Sequence, residues 1–218
     1  MKVLEQIFHA VNTASGQGAL YFQTVVGTVL LVFNPLPIKA LSELMGYGIP
    51  HVHSTIRSLH SLLVVPEKPE DPIHAFHKSF PDFLTDPERC KDKQFLVEPA
   101  AYHAKILLSC LNLMKARLKK NICNLDDYVV LSEVKDISTQ KKEYIGDALG
   151  YACKFWTKHL LEIPSTSSHI GEVQKSIDTF FTTCLLYWIE VLMLTGNLGV
   201  GVYAMNDIEQ WCALVSVV

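Results

Sequence analysis

Apolar positions along the chain change their spacing partway, and that change divides the sequence. From Gly18 to about Cys90 the apolar runs are short and punctuated by proline and glycine. "GALYFQTVVGTVLLVF" reads as a helix stopped by "NPLP". In "PIKALSELMG" Pro37 opens and Gly46 closes a second helix, since proline suits a first turn and glycine a left-handed cap. Ile38, Leu41, Leu44 and Met45 give it one apolar face. "HVHSTIRSLHSLL" predicts a third helix, with Val52, Ile56, Leu59 and Leu63 at helical spacing. "LLVVPE" and "PIHAFHKSF" are short β-rich runs joined by the polar turn "EKPED". Three short helices and then a hairpin is the layout of a winged helix.

From about Phe95 the spacing becomes that of long helices. "EPAAYHAKILLSCLNLMKARLKKN" places Leu107, Leu111, Met114 and Leu118 on one stripe, with its cations crowded at the C-terminal end where the helix dipole favours them. "KKEYIGDALGYACKFWTKHLLEI" predicts a helix with Ile145, Leu149, Ala152, Trp156 and Leu160 inward. After Pro164 and "STSSH", a third carries Ile177, Phe181, Cys184, Leu185, Trp188 and Leu192. "NDIEQWCALVSVV" starts like a capped helix, with Asn206 as cap and Glu209 three residues on. The expected fold is mainly α, a winged-helix domain with a small β-hairpin followed by a helical bundle or arm. Its expected divisions are 1–18, an N-terminal helix remnant and linker; 19–92, winged-helix-like; and 93–218, helical and truncated at its C-terminal end.

Composition narrows the classes of function. With 218 residues, 49% hydrophobic and 19% charged, the chain can bury a real core. A net charge of −3 argues against a dedicated nucleic-acid binder. The candidate recognition helix holds a single arginine and no lysine, and the "EKPED" wing would be repelled by phosphate. The six cysteines, at 90, 110, 123, 153, 184 and 212, form no close pairs and read as reduced, buried thiols of a cytoplasmic protein. "LYFQTVVGTVLLVF" is too short to span a bilayer, and "FFTTCLLYWIEVLMLTGNLGVGVYAM" carries Glu190 and glycines at its centre, so both read as buried helices.

The chemical motifs are sparse. Gly199, Gly201 and Ala204 make a weak dinucleotide fingerprint with no preceding strand, better read as a helix cap and turn. His74 and His77 lie three apart, and in a strand such positions face opposite ways, so they share a metal poorly. His51 and His53, two apart on a helix, diverge as well. No nucleophile elbow or cysteine-protease pattern appears, so no catalytic residue and no metal are assigned.

Five blocks, in order, carry a resemblance: "GTVLLVFNPLPIKALSELMG", "LHSLLVVPEKPEDPIHAFHKSFPDFLTDPERC", "LNLMKARLKKNICNL", "ALGYACKFWTKHL" and "YWIEVLMLTGNLGVGVYAMNDIEQW". From about Ala19 to Trp211 the chain resembles the region after the NTPase core in fungal NACHT-type STAND NTPases, which are similar in architecture to animal NOD-like receptors. The resemblance implies a winged helix and helical arm that close on a nucleotide-binding core, in cis or in trans. It also implies a fragment, a partial gene model or a degenerate paralogue, because the family's phosphate loop, magnesium-binding strand and downstream repeats are not in this sequence. The expected role is therefore non-enzymatic, with no cofactor of its own and ADP or ATP only through an NTPase core. Phe76-His77-Lys78-Ser79-Phe80-Pro81-Asp82-Phe83 puts His77 where the family's sensor histidine meets the β-phosphate of ADP. An imidazole N–H suits that contact. Phe76, Phe80, Phe83, Trp156 and Trp188 are the expected core anchors. Read from spacing alone, His77 is a hydrogen-bonded histidine at the edge of the core. With its helical apolar faces cut off from covering segments, the isolated chain is expected to self-associate. The competing classes are a helical protein-interaction scaffold without nucleotide sensing and a winged-helix DNA binder.

Overall fold

The computed structural model describes residues 18–60, 62–68, 70–75, 77–93, 95–126 and 130–215. Ten α-helices and one two-stranded sheet occur among them, so the protein is mainly helical. Two compact units divide the chain, Met1–Tyr102 and His103–Val218, where the sequence pattern placed its own divisions at 18/19 and 92/93. The expected N-terminal helix remnant lies outside the described residues.

In the first unit, α1 (Gly18–Leu31) buries Val25, Val26 and Val29. Gly27 belongs to the same helix for a packing reason: a Cβ there would lie 2.6 Å from the buried ring of Tyr102. α2 (Ile38–Met45) follows Pro37 and ends at Gly46, whose φ of +69° is the left-handed cap that glycine adopts without a Cβ penalty. Its buried face is Ala40, Leu41, Ser42 and Leu44. α3 (Ile49–Ser58) packs on both α1 and α2 through Val52 and Ile56. It ends earlier than its periodicity predicts, since the amides of Leu62 and Leu63 turn back to the Leu59 carbonyl, each at 2.8 Å. Leu63 then enters a strand while keeping its buried place. β1 (Leu63–Val64) pairs antiparallel with β2 (His74–Ala75), in the register Leu63 opposite Ala75 and Val64 opposite His74.

The second run thus gives a strand only at its start; from Ser79 it is helical, as α4 (Ser79–Leu84). The Leu84 carbonyl accepts from Val97 N–H at 2.8 Å, and the Leu36 carbonyl accepts from Ile73 N–H at 3.0 Å, which ties the hairpin and the short helix into the unit.

α5 (Pro99–Arg117) begins at the end of the first unit and runs into the second, where Leu107, Cys110, Leu111 and Met114 are buried. α6 (Ile137–Tyr144) and α7 (Gly146–Leu161) replace the single helix expected from 141 to 163. Gly146, at φ +65°, breaks it, yet Ile145, Leu149, Ala152, Trp156 and Leu160 all remain buried. The next expected helix is divided too: α8 (Ile170–Thr183) and α9 (Leu185–Leu194) meet at 74°. No single helix among the described residues is long and apolar enough to cross a membrane; by length and composition only this bent pair passes.

α10 (Leu198–Val215) runs unbroken through Asn206, so that residue is interior and not a cap. Gly199 and Gly201 lie inside this helix, and the cap-and-turn role belongs to Gly196, at φ +69°. A Cβ at Gly201 would sit 3.2 Å from Leu192 Cδ1, so this glycine lets α10 approach α9 closely. The core gathers on α7. Trp156 packs against Phe180 and Trp188 with ring centroids 4.8 and 6.1 Å away, and the Trp188 indole N–H donates to the Cys153 carbonyl at 2.8 Å. Such aromatic contacts add to the area they bury.

Candidate functional site

His77 lies between β2 and α4 with its side chain exposed. Its Nδ1 is engaged twice by Ser79, from the backbone N–H at 3.1 Å and from Oγ at 2.9 Å. A backbone N–H can only donate, so Nδ1 is the accepting nitrogen and the neutral ring carries its proton on Nε2. The ring is thereby held in place at one nitrogen and presents an N–H donor at the other. That arrangement can hydrogen-bond an anion.

The other expected residues fall as follows. Phe80 is buried on α4, and Phe83 is half-buried with the Arg89 guanidinium carbon 5.9 Å from its ring centroid. Phe76 lies outside the described residues. Trp156 and Trp188 are buried at the centre of the second unit. His74 is exposed on β2, across from Val64. His51 and His53 are exposed on α3, where the His51 ring stacks on Tyr21 at 5.9 Å. Among the described residues, no group of three or more His, Cys, Asp or Glu side chains is placed to hold a metal ion. All six cysteines are free thiols, five buried and Cys212 exposed. Burial pushes the Cys110 and Cys153 thiols far above their ordinary value, so they are unreactive at neutral pH.

Sequence reasoning missed a buried polar chain in the second unit. His103 and His159 meet Nδ1 to Nδ1 at 2.8 Å, and Tyr151 Oη lies 2.7 Å from His159 Nε2. All three residues are buried. A neutral pair satisfies both bonds when the Tyr151 hydroxyl donates to His159 Nε2 and the His159 Nδ1–H donates to His103 Nδ1. Burial and, to a lesser degree, the neighbouring His103 lower the pKa of His159 to about 3, and burial lowers that of His103 as well. The signal available in sequence was the spacing Tyr151, Phe155, His159, every fourth residue along α7. Nothing in it pointed to His103, far upstream.

A second polar cluster joins α7 to α10. Buried Asp207 accepts from the Thr157 hydroxyl at 2.9 Å and pairs with Lys158 Nζ at 3.3 Å. The weak glycine fingerprint next to it, Gly199 to Ala204, lies in the first two turns of α10 and follows α9, not the strand that a dinucleotide fingerprint requires.

Fold and site together describe a mainly helical protein of two units, with a small hairpin and, at His77, an oriented, exposed imidazole. Among proteins of known role, the chain is similar to the vegetative incompatibility protein HET-E-1 of Podospora anserina, 24% identical over 234 residues. The matched stretch is 95% of this chain and 16% of that protein, so the chain spans about a sixth of its relative's length. No protein-family model matches the sequence. No solved structure matches it.

Proposed function

We propose that this chain is a non-catalytic regulatory module of a NACHT-type signalling NTPase, acting in the cytoplasm. Its winged-helix-like unit and helical arm close on a nucleotide-binding core and hold that core's ADP-bound state. The observation that carries this reading is His77, an exposed imidazole whose Nδ1 is occupied by Ser79 and whose Nε2–H is available. Similarity along 95% of the chain to a fungal vegetative incompatibility protein supports a signalling setting.

The physics is a population shift. A contact made only in the closed, ADP-bound form biases the equilibrium by its differential energy. A charge-assisted hydrogen bond of about 1.5–3 kcal/mol changes the closed-to-open ratio roughly ten- to a hundredfold. Nucleotide and magnesium come with the core, not with this chain.

The test is association in trans. The chain is titrated into an isolated NACHT core loaded with magnesium and either ADP or a non-hydrolysable ATP analogue, with affinity read by calorimetry. Binding to the ADP form should be tighter by roughly tenfold. Equal affinity for the two forms would remove the regulatory reading.

A helical interaction scaffold is the second reading, favoured by a specific feature. Leu186, Met193, Leu198, Val202, Tyr203 and Leu214 on α9 and α10 are large apolar residues left exposed. Contiguous apolar surface marks binding faces.

A further inference from the structure

Between α7 and the start of α10 lies a solvent-open groove of about 380 Å³, wholly within the second unit. Lys154, Phe155 and Lys158 line it from α7, and Val200 and Tyr203 from α10. Its volume is that of a site for a few side chains, at the lower end of small-ligand pockets.

The polar groups in the groove differ in whether they are already used. Asp207 is committed to Thr157 and Lys158, which fixes its carboxylate and offsets part of the charge of Lys158. Lys154 makes no ion pair among the described residues. Asn197 also lines the groove; its Nδ2 donates to the Thr195 carbonyl at 2.8 Å, leaving Oδ1 as the acceptor. Two lysines against one neutralised carboxylate make the groove locally positive in a chain of net charge −3. Beside these charges Tyr203 is 67% exposed, and its neighbour Val202 is 65% exposed.

We propose that this groove is the docking site for a polypeptide segment that carries a carboxylate side chain next to a bulky apolar one. The carboxylate pairs with Lys154, and Lys158 adds its residual charge. The apolar side chain lies against Tyr203 and Val200, and the Asn197 Oδ1 accepts a backbone N–H from the segment. Charge complementarity selects the occupant. A basic segment would meet two lysines, and a purely apolar one would leave Lys154 stripped of water and unpaired.

The experiment uses the whole 218-residue chain. Amide spectra of the labelled protein are followed while adding acetyl-Glu-Leu-Leu-Glu-amide, or its counterparts with Gln or Lys in place of Glu. Shifts should centre on Lys154, Asn197 and Tyr203, with the Glu peptide binding roughly two- to fivefold more tightly than the Gln peptide. Lys154→Glu should reverse the order, so that the Lys peptide binds best. Tyr203→Ser, at an exposed position, should weaken all three while the fold persists. Equal binding of the three peptides, no shifts at these residues, or an order unchanged by Lys154→Glu would each overturn the proposal. Shifts that appear without peptide as the protein is concentrated would show a second copy of the chain in the groove, and would overturn it too.

Discussion

A neutral imidazole needs a donor partner at one nitrogen and an acceptor at the other, and His77 and His159 meet that need in opposite settings. His77 takes a backbone N–H at Nδ1 and keeps its other nitrogen toward solvent. His159 has both nitrogens engaged inside the core, by Tyr151 and His103. Burial there penalises the charged ring, and the folded pKa falls to about 3, well below the ordinary 6.5. Above pH 6.5 folded and unfolded chains both carry a neutral His159, so its stabilising contribution is fully present. Between 6.5 and about 3 the unfolded chain binds the proton and the folded chain does not, so stability is lost as the pH falls. The slope approaches about 1.4 kcal/mol per pH unit for each histidine held neutral. Urea unfolding from pH 7.5 down to about 5.5, above most carboxylate titration, should show that loss. His159→Gln should be less stable at pH 7.5 yet flatter with pH. Parallel curves for the two proteins would mean that the buried pair is not the acid-labile element.

At the scale of elements, the apolar pattern places inward faces well and helix ends poorly. α2 is legible end to end because Pro37 and Gly46 carry its limits in their own backbone geometry. α6 and α7 read as one helix because the residues on both sides of Gly146 face the same core, so the period continues across the break. The bend between α8 and α9 is hidden in the same way, since Ile177, Trp188 and Leu192 are all buried in one core. Glu190, on α9, has partners that no local pattern shows. In sequence it reads only as a charge unsuited to a membrane span. In the structure its carboxylate accepts the N–H of Asn121 at 3.1 Å and of Ile122 at 2.9 Å. Asn121, at φ +52°, closes that turn on Leu125 with both ends of its side-chain amide. Because the site is half-exposed, Glu190→Ala should cost roughly 1–2 kcal/mol in chemical denaturation, and Glu190→Gln about half as much. A change within about 0.5 kcal/mol for the alanine variant would show that the clasp contributes nothing measurable.

At the scale of the whole molecule, the helical class and the small hairpin were legible from spacing and punctuation. The site was legible only in part. His77 was named through a family resemblance, and its support from Ser79 lies two residues away, within reach of local reading. The groove and the His103–His159 pair were not legible, because each joins residues about fifty positions apart that share no local pattern. The central claim, that this chain senses nucleotide for a core it closes upon, rests on the free Nε2–H of His77. The direct measurement is ADP affinity in a fusion of the chain to a NACHT core, for the unaltered sequence, His77→Ala and His74→Ala. Loss of a contact of about 1–2.5 kcal/mol should weaken ADP binding roughly five- to fiftyfold in His77→Ala, and His74→Ala should match the unaltered fusion. Equal ADP affinity in all three would contradict the account and leave His77 as a residue that only hydrogen-bonds Ser79 at the start of α4.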